Sequence, residues 1–284
     1  MIRHRSYVVP LTAVLLALAT GVALGAGPLT DTRSSASTAP RVVTPAPEST
    51  YPDLFAASVA QNLYRDGLSR RPVALVTLPG ADPATVAALT SQVKAAGGQV
   101  AGTYAVDPQM VDARQKSLVD TLGIQLARQV RGATSKDATT YSRIGQLLAV
   151  AAANPGRAAE QPDDDATAVR QSLAAAKLVT MPAGGPPTAP LVLVVLGDPV
   201  DQTMADGLVD GLAHGARGVV AVAPTQDAVL AALHTDGVTR HVTTVDGSET
   251  SAGRVAAVLG LERAWTKQGG AFGASGSDGA VPLG

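Results

Sequence analysis

Cysteine is absent from the 284-residue chain. That excludes a disulfide framework and any zinc or iron–sulfur centre built on thiolates. Aromatic residues make up only 3%, which leaves few large anchors for a deep ligand pocket. Charged residues are scarce at 16%, and 22 Lys plus Arg against 23 Asp plus Glu give a formal net charge of -1. With a pI of about 6.4 the chain has no overall basic footprint for nucleic acid. No G-x-G-x-x-G, P-loop or G-x-S-x-G run occurs, so neither a nucleotide site nor a hydrolase nucleophile has sequence support. No solenoid-type repeat is evident.

Apolar residues are plentiful at 46%, enough to bury the core of one large domain or two small ones. Arg3, His4 and Arg5 precede an uncharged stretch, residues 7–27, reading YVVPLTAVLLALATGVALGAG. About 20 such residues at 1.5 Å each span roughly 30 Å, the thickness of a bilayer core. The basic flank places the N-terminus in the cytoplasm and the bulk of the chain outside. Residues 1–30 are therefore expected to be a signal anchor and single transmembrane helix. Ala23-Leu24-Gly25 leaves a cleaved signal peptide as the alternative. Residues 31–53, with Pro40, Pro45, Pro47 and Pro52, read as a Pro/Ser/Thr-rich tether. Residues 54–268 read as the extracytoplasmic domain and 269–284 as a Gly-rich flexible tail.

Within the domain, residues 54–68 have helical spacing. From there short β-branched runs alternate with helical stretches: VALVTL at 73–78, residues 99–106, LVLVVL at 191–196, GVVAV at 218–222 and VTTV at 242–245. Continuous apolar strands separated by helices predict a parallel sheet covered on both faces, a Rossmann-like α/β sandwich.

Ligands on such sheets sit at the carboxyl ends of the strands. The turns there carry Asp82, Asp198 and Asp246, which read as helix caps ahead of any catalytic role. His4 belongs to the basic flank. His214 falls near a helix C-terminus, where the dipole favours an imidazolium. His234 and His241 flank a turn without the i, i+4 spacing of a zinc pair. Asp163, Asp164 and Asp165 read as a solvated linker with at most weak attraction for a hard cation. Met110, Met181 and Met204 are too scattered for a thioether Cu(I) site, though His, carboxylate or backbone groups could serve Cu(II). No catalytic or cofactor-binding residue is identified, the metal ligands are left unknown, and the chain is read as not an enzyme. One membrane helix cannot enclose a pore, and helix-alternating strands do not make a transmembrane barrel. A role in transport therefore calls for oligomerisation or a protein partner.

Three segments carry a family resemblance: RSYVVPLTAVLLALATGVALGAGPL at 5–29, FAASVAQNLYRDGLSRRPVALVTLPGAD at 55–82, and TTVDGSETSAGRVAAVLGLERA at 243–264 followed by Gly-Gly-Ala-Phe-Gly. Together they resemble the actinobacterial MctB-like copper transport family, related to SteB-type envelope proteins. The resemblance implies a membrane-associated protein of copper efflux or homeostasis, with copper possible as ligand and outer-membrane association possible. Alternatively it implies a cell-envelope scaffold regulating cell separation or peptidoglycan hydrolysis with a membrane partner. Relatives carry a coiled coil directly after the membrane helix, which the prolines of 31–53 cannot supply here. Val245-Asp246 and Gly253-Arg254 match the C-terminal motif best. Asp246 is expected to shape a turn and Arg254 to be available for a carboxylate.

Overall fold

Two continuous apolar runs form the centre of the sheet. β1 (Val73–Thr77) and β4 (Leu191–Val195) pair in parallel, Val73 opposite Leu191 through Thr77 opposite Val195. All ten residues except Thr77 are buried, as expected of strands covered on both faces. A computed structural model describes residues 50–156, 158–235, 240–266 and 269–283. The sheet it contains has seven strands in the order β3-β2-β1-β4-β5-β6-β7. The other strands are β2 (Val100–Val106), β3 (Val179–Thr180), β5 (Gly218–Ala223), β6 (Val242–Asp246) and β7 (Gly270–Phe272). Every pairing is parallel except that of β2 with the two-residue β3. The mixed α/β class with a mostly parallel sheet agrees with the sequence expectation. The antiparallel β3 edge departs from it.

Alternate strand residues feed two cores, following the period of two. One face carries α1 (Tyr51–Tyr64), α2 (Pro83–Ala95) and α8 (Ser251–Ala264), packed on Val73, Leu75, Leu193, Val220 and Val245. The other carries α3 (Lys116–Gln129), α4 (Thr140–Ala152), α5 (Asp164–Ala175), α6 (Gln202–Gly215) and α7 (Ala228–Thr235), packed on Ala74, Val76, Val192, Val194 and Val219. The chain moves towards β2 through α2 and towards β7 through α8, yet both helices lie on the same face. Those two crossovers therefore have opposite hands. α6 and α7 also serve crossovers towards β7 but lie on the opposite face, so they share the hand of α2. Since parallel crossovers are overwhelmingly right-handed, the β6–α8–β7 unit is the exception.

Local chemistry explains the helix ends. Asp82 accepts hydrogen bonds from the amides of Ala84 and Thr85, with Pro83 opening α2 at a position whose N–H would be unpaired anyway. Asp163 caps α5 through the amide of Ala166, and Asp164 and Asp165 fill its first turn. The acidic triplet thus starts a helix and is not a linker. On α6, Gly207, Gly211 and Gly215 recur every four residues and face Tyr141, Ser142 and Ala149 of α4. A Cβ at Gly211 would strike the Ser142 carbonyl oxygen, so the two backbones meet without intervening side chains. Among the described residues, buried Arg170 has no carboxylate partner. It donates to the carbonyls of Ala151 and Pro186, at 2.8 Å each, and to the Tyr104 hydroxyl at 2.8 Å.

Three boundaries differ from expectation. The first helix begins at Tyr51, not Leu54, because Pro52 falls in its first turn, where proline is tolerated. The helical pattern after GVVAV predicts a helix over 225–234, but α7 begins at Ala228, with Asp227 accepting from the Leu230 amide. The expected flexible tail supplies β7, whose Phe272 is 4% exposed, and Asp278 accepts from the Ala271 amide at 2.8 Å. The compact unit spans Ser49–Gly284, so α1 and β7 both belong to it. No helix among the described residues is long and apolar enough to cross a membrane. The expected membrane segment and the tether up to residue 49 lie outside the described residues.

Candidate functional site

The strand order reverses between β1 and β4, which is where a doubly wound sheet usually opens a ligand crevice. Here the two loops close on each other. The Leu78 amide donates to the Val195 carbonyl at 2.9 Å, and the Asp198 amide donates to the Pro79 carbonyl at 2.7 Å. The Asp198 carboxylate lies directly over Gly80. Asp198 was expected as a helix cap, but α6 starts four residues later at Gln202, preceded by Asp201, whose side chain makes no cap bond. The sequence signal was an Asp-Pro pair; the chain needs a longer crossing before the helix can begin.

A cavity lies at the opposite corner of the same edge. The β6–α8 loop and the segment after β7 enclose a cavity of about 210 Å3, lined by Thr225, Asp246, Gly247, Thr250, Gly253 and Val281. Asp246 is 2% exposed and accepts from the Ser275 amide and, at 2.7 Å, from its hydroxyl. Gly273 leaves room for this carboxylate, which a Cβ there would strike. Asp246 therefore fastens the C-terminal segment, whereas the sequence reads it as a helix cap or turn former. Thr250 is the true cap of α8, its hydroxyl accepting from the Gly253 amide at 2.9 Å. Glu249 accepts from the Thr225 amide and hydroxyl. Arg254, expected to await a carboxylate, instead donates to the carbonyls of Ser248 and Glu249 and to the Ser251 hydroxyl. Asp53 of α1 accepts from the Ser251 amide at 2.6 Å, and this bond holds its carboxyl below the usual range.

The candidate copper donors are not gathered. Met110 is fully buried, Met204 is 5% exposed and Met181 is half-buried against the core. His214 sits in the last turn of α6, its Nδ1 3.1 Å from the Asp210 carbonyl, which is the expected helix-end placement. His241 is exposed before β6, while the His234 side chain lies outside the described residues. Among the described residues no three His, Asp or Glu side chains come together as a metal cage.

A second cluster was not anticipated. The loop after α1, Arg65 to Arg71, packs on the C-terminal turn of α8. Glu262 points its carboxyl at Gly67, and its Oε1 has no hydrogen-bond partner among the described residues. Burial pushes the Glu262 carboxyl up to about 7, partly opposed by the Arg71 charge. Burial, with the nearby Glu262 charge, also pushes the Tyr64 phenol upward. The guanidinium carbons of Arg71 and Arg217 lie 4.7 and 4.3 Å from the centroid of the Trp265 ring. The sequence signals for this cluster were the Arg70-Arg71 pair and the sole tryptophan, but these stand nearly 200 positions apart and only the fold joins them.

Comparison with known proteins extends beyond this domain. Residues 1–283 match the family model described as copper transport outer membrane protein, MctB. No curated protein matches the chain.

Proposed function

The chain belongs to the MctB family of copper transport outer membrane proteins, and from that premise we propose that it serves copper efflux or homeostasis as an accessory or oligomeric component of the cell envelope. In this reading residues 7–27 anchor it once in the cytoplasmic membrane, and a Rossmann-like domain stands outside. The observation that carries the proposal is the family match over residues 1–283, which takes in the basic-flanked apolar segment as well as the α/β domain. The accessory role is supported by the architecture of the domain. Its sheet is open, with β3 and β7 at the edges, and helices cover both faces. Copper is then the cargo of an assembly in which this chain acts by binding and positioning partners, without a reaction of its own. Cell-associated copper, measured by elemental mass spectrometry under copper challenge, should rise in a deletion strain and return on complementation. Equal copper in all strains would refute the proposal.

One observation favours a second reading, an envelope scaffold for cell separation or peptidoglycan hydrolysis. α1 leaves Tyr51, Leu54 and Phe55 more than half exposed next to the tether, an apolar patch suited to a protein partner. Normal septation and wall sensitivity in the deletion strain would exclude it.

A further inference from the structure

The loop after α1 and the end of α8 build a cationic cleft that the copper reading does not use. Its cavity of about 530 Å3 is lined by Ser69, Arg70, Arg71, Ala158 and Trp265. Arg217 reaches the same ring from the start of β5 and donates its Nε to the Trp265 carbonyl at 3.0 Å. Two guanidinium carbons are thus held within about 9 Å of each other by one indole, a separation at which like charges repel. Among the described residues none of Arg70, Arg71 and Arg217 has an ion pair with a carboxylate. In a chain with a net charge of -1 this is a local concentration of positive charge. Stacking occupies the face of a guanidinium and leaves its N–H edge for hydrogen bonds.

The loop is also held in shape in advance. Arg65, Asp66 and Arg70 have φ of 46, 56 and 59°, the left-handed region that crowds the Cβ of a side-chain-bearing residue. Backbone bonds keep them there: Gly67 to Tyr64, Leu68 to Ala96, Ser69 to Asp66 and Arg71 to Leu68. Strain retained by a surrounding hydrogen-bonded frame is characteristic of binding loops. The Glu262 carboxyl, on which the Arg71 charge acts, faces Gly67 beneath the loop, and its raised proton affinity reduces the negative charge it presents to an incoming anion.

We propose that the Arg70–Arg71–Arg217–Trp265 cleft binds a phosphate group carried by a soluble ligand rather than by bilayer lipid. A tetrahedral phosphate can accept from several guanidinium forks at once. Inorganic phosphate tests the soluble source and a phosphatidylglycerol bilayer tests the lipid one.

The sole tryptophan reports on the site directly. Full-length protein in neutral detergent is titrated with inorganic phosphate at constant ionic strength against chloride, following Trp265 emission. A saturable change is expected, weakened about tenfold or more in Arg70→Gln and Arg71→Gln. Arg70 is exposed and makes no side-chain bond among the described residues, so Arg70→Gln should keep the parent melting temperature while losing binding. No saturable change, or the same curve in parent and variants, overturns the proposal. In a second arm the protein is reconstituted in phosphatidylcholine vesicles with or without a quarter phosphatidylglycerol. Emission that follows phosphatidylglycerol content but ignores free phosphate would assign the site to lipid and also overturn it.

Discussion

Replacing Glu262 by Gln should stabilise the protein increasingly as pH rises from 4.5, with the full gain above about 7. The carboxyl is half-buried at the end of α8, pressed towards Gly67, with one oxygen unpartnered. Burial raises its pKa to about 7 in the fold, from an ordinary value of 4.5. The folded state therefore binds the proton more tightly than the unfolded state. That advantage is complete below pH 4.5, fades as pH rises to 7, and is gone above it. Two and a half units at about 1.36 kcal/mol each give an upper bound of roughly 3.4 kcal/mol. Partial exposure lets solvent screen the charge, which brings the expected effect to about 1–2 kcal/mol. A neutral Gln avoids burying the ionised group at any pH. For a unit of this size the gain corresponds to a melting temperature about 3–6 °C above the parent at pH 8.5. At pH 4 the two proteins should melt together. Calorimetry or circular dichroism of full-length protein across that range makes the test. A variant no more stable than the parent at pH 8.5, or a difference that does not shrink on acidification, would refute the assigned burial of this carboxyl.

Gly211→Val should destabilise by about 3 kcal/mol in urea titrations, because its side chain would force α6 away from the Ser142 carbonyl of α4. Arg170→Met should cost about 3 kcal/mol by leaving the Ala151 and Pro186 carbonyls and the Tyr104 hydroxyl without their donor, and Tyr104→Phe should cost less. Asp246→Ala should cost about 1–3 kcal/mol and speed amide hydrogen exchange selectively over residues 270–280, since Ser275 loses its anchor. Unchanged exchange there would show that β7 and the chain after it are held by packing alone.

The sheet centre was legible because VALVTL, LVLVVL, GVVAV and VTTV are runs that only a doubly covered strand can bury. Asp82-Pro83 likewise announced α2, since cap and first turn are local. β3 and β7 were not legible. Val179–Thr180 has no pattern of its own and exists by pairing with Ala105 and Val106. Gly270–Phe272 lies in a glycine-rich stretch whose order comes from Asp246, Asp278 and the buried Phe272 ring. Asp198 shows the limit of reading caps from dipeptides: its carboxylate lies over Gly80, and the helix waits for Gln202. The arginine cleft was invisible for a different reason. Arg70, Arg217 and Trp265 come from separate loops, and no spacing rule links them before the crossovers bring the strand starts together.

The unusual hand of the last crossover has a mechanical consequence. By bringing α8 onto the face of α1, it gives the first helix its main support. The two helices run side by side in the same direction, joined at their starts by Asp53 and Ser251 and near their ends by Tyr64 and the Gly67–Glu262 contact. Tension entering at residue 50 first meets the Asp53–Ser251 bond, then the Ala60 and Tyr64 contacts, one after another. Such loading peels a helix turn by turn, whereas a strand paired on both sides must shear all its hydrogen bonds together. Force applied at residue 50 would therefore load α1 before it reached β1, which is paired on both sides.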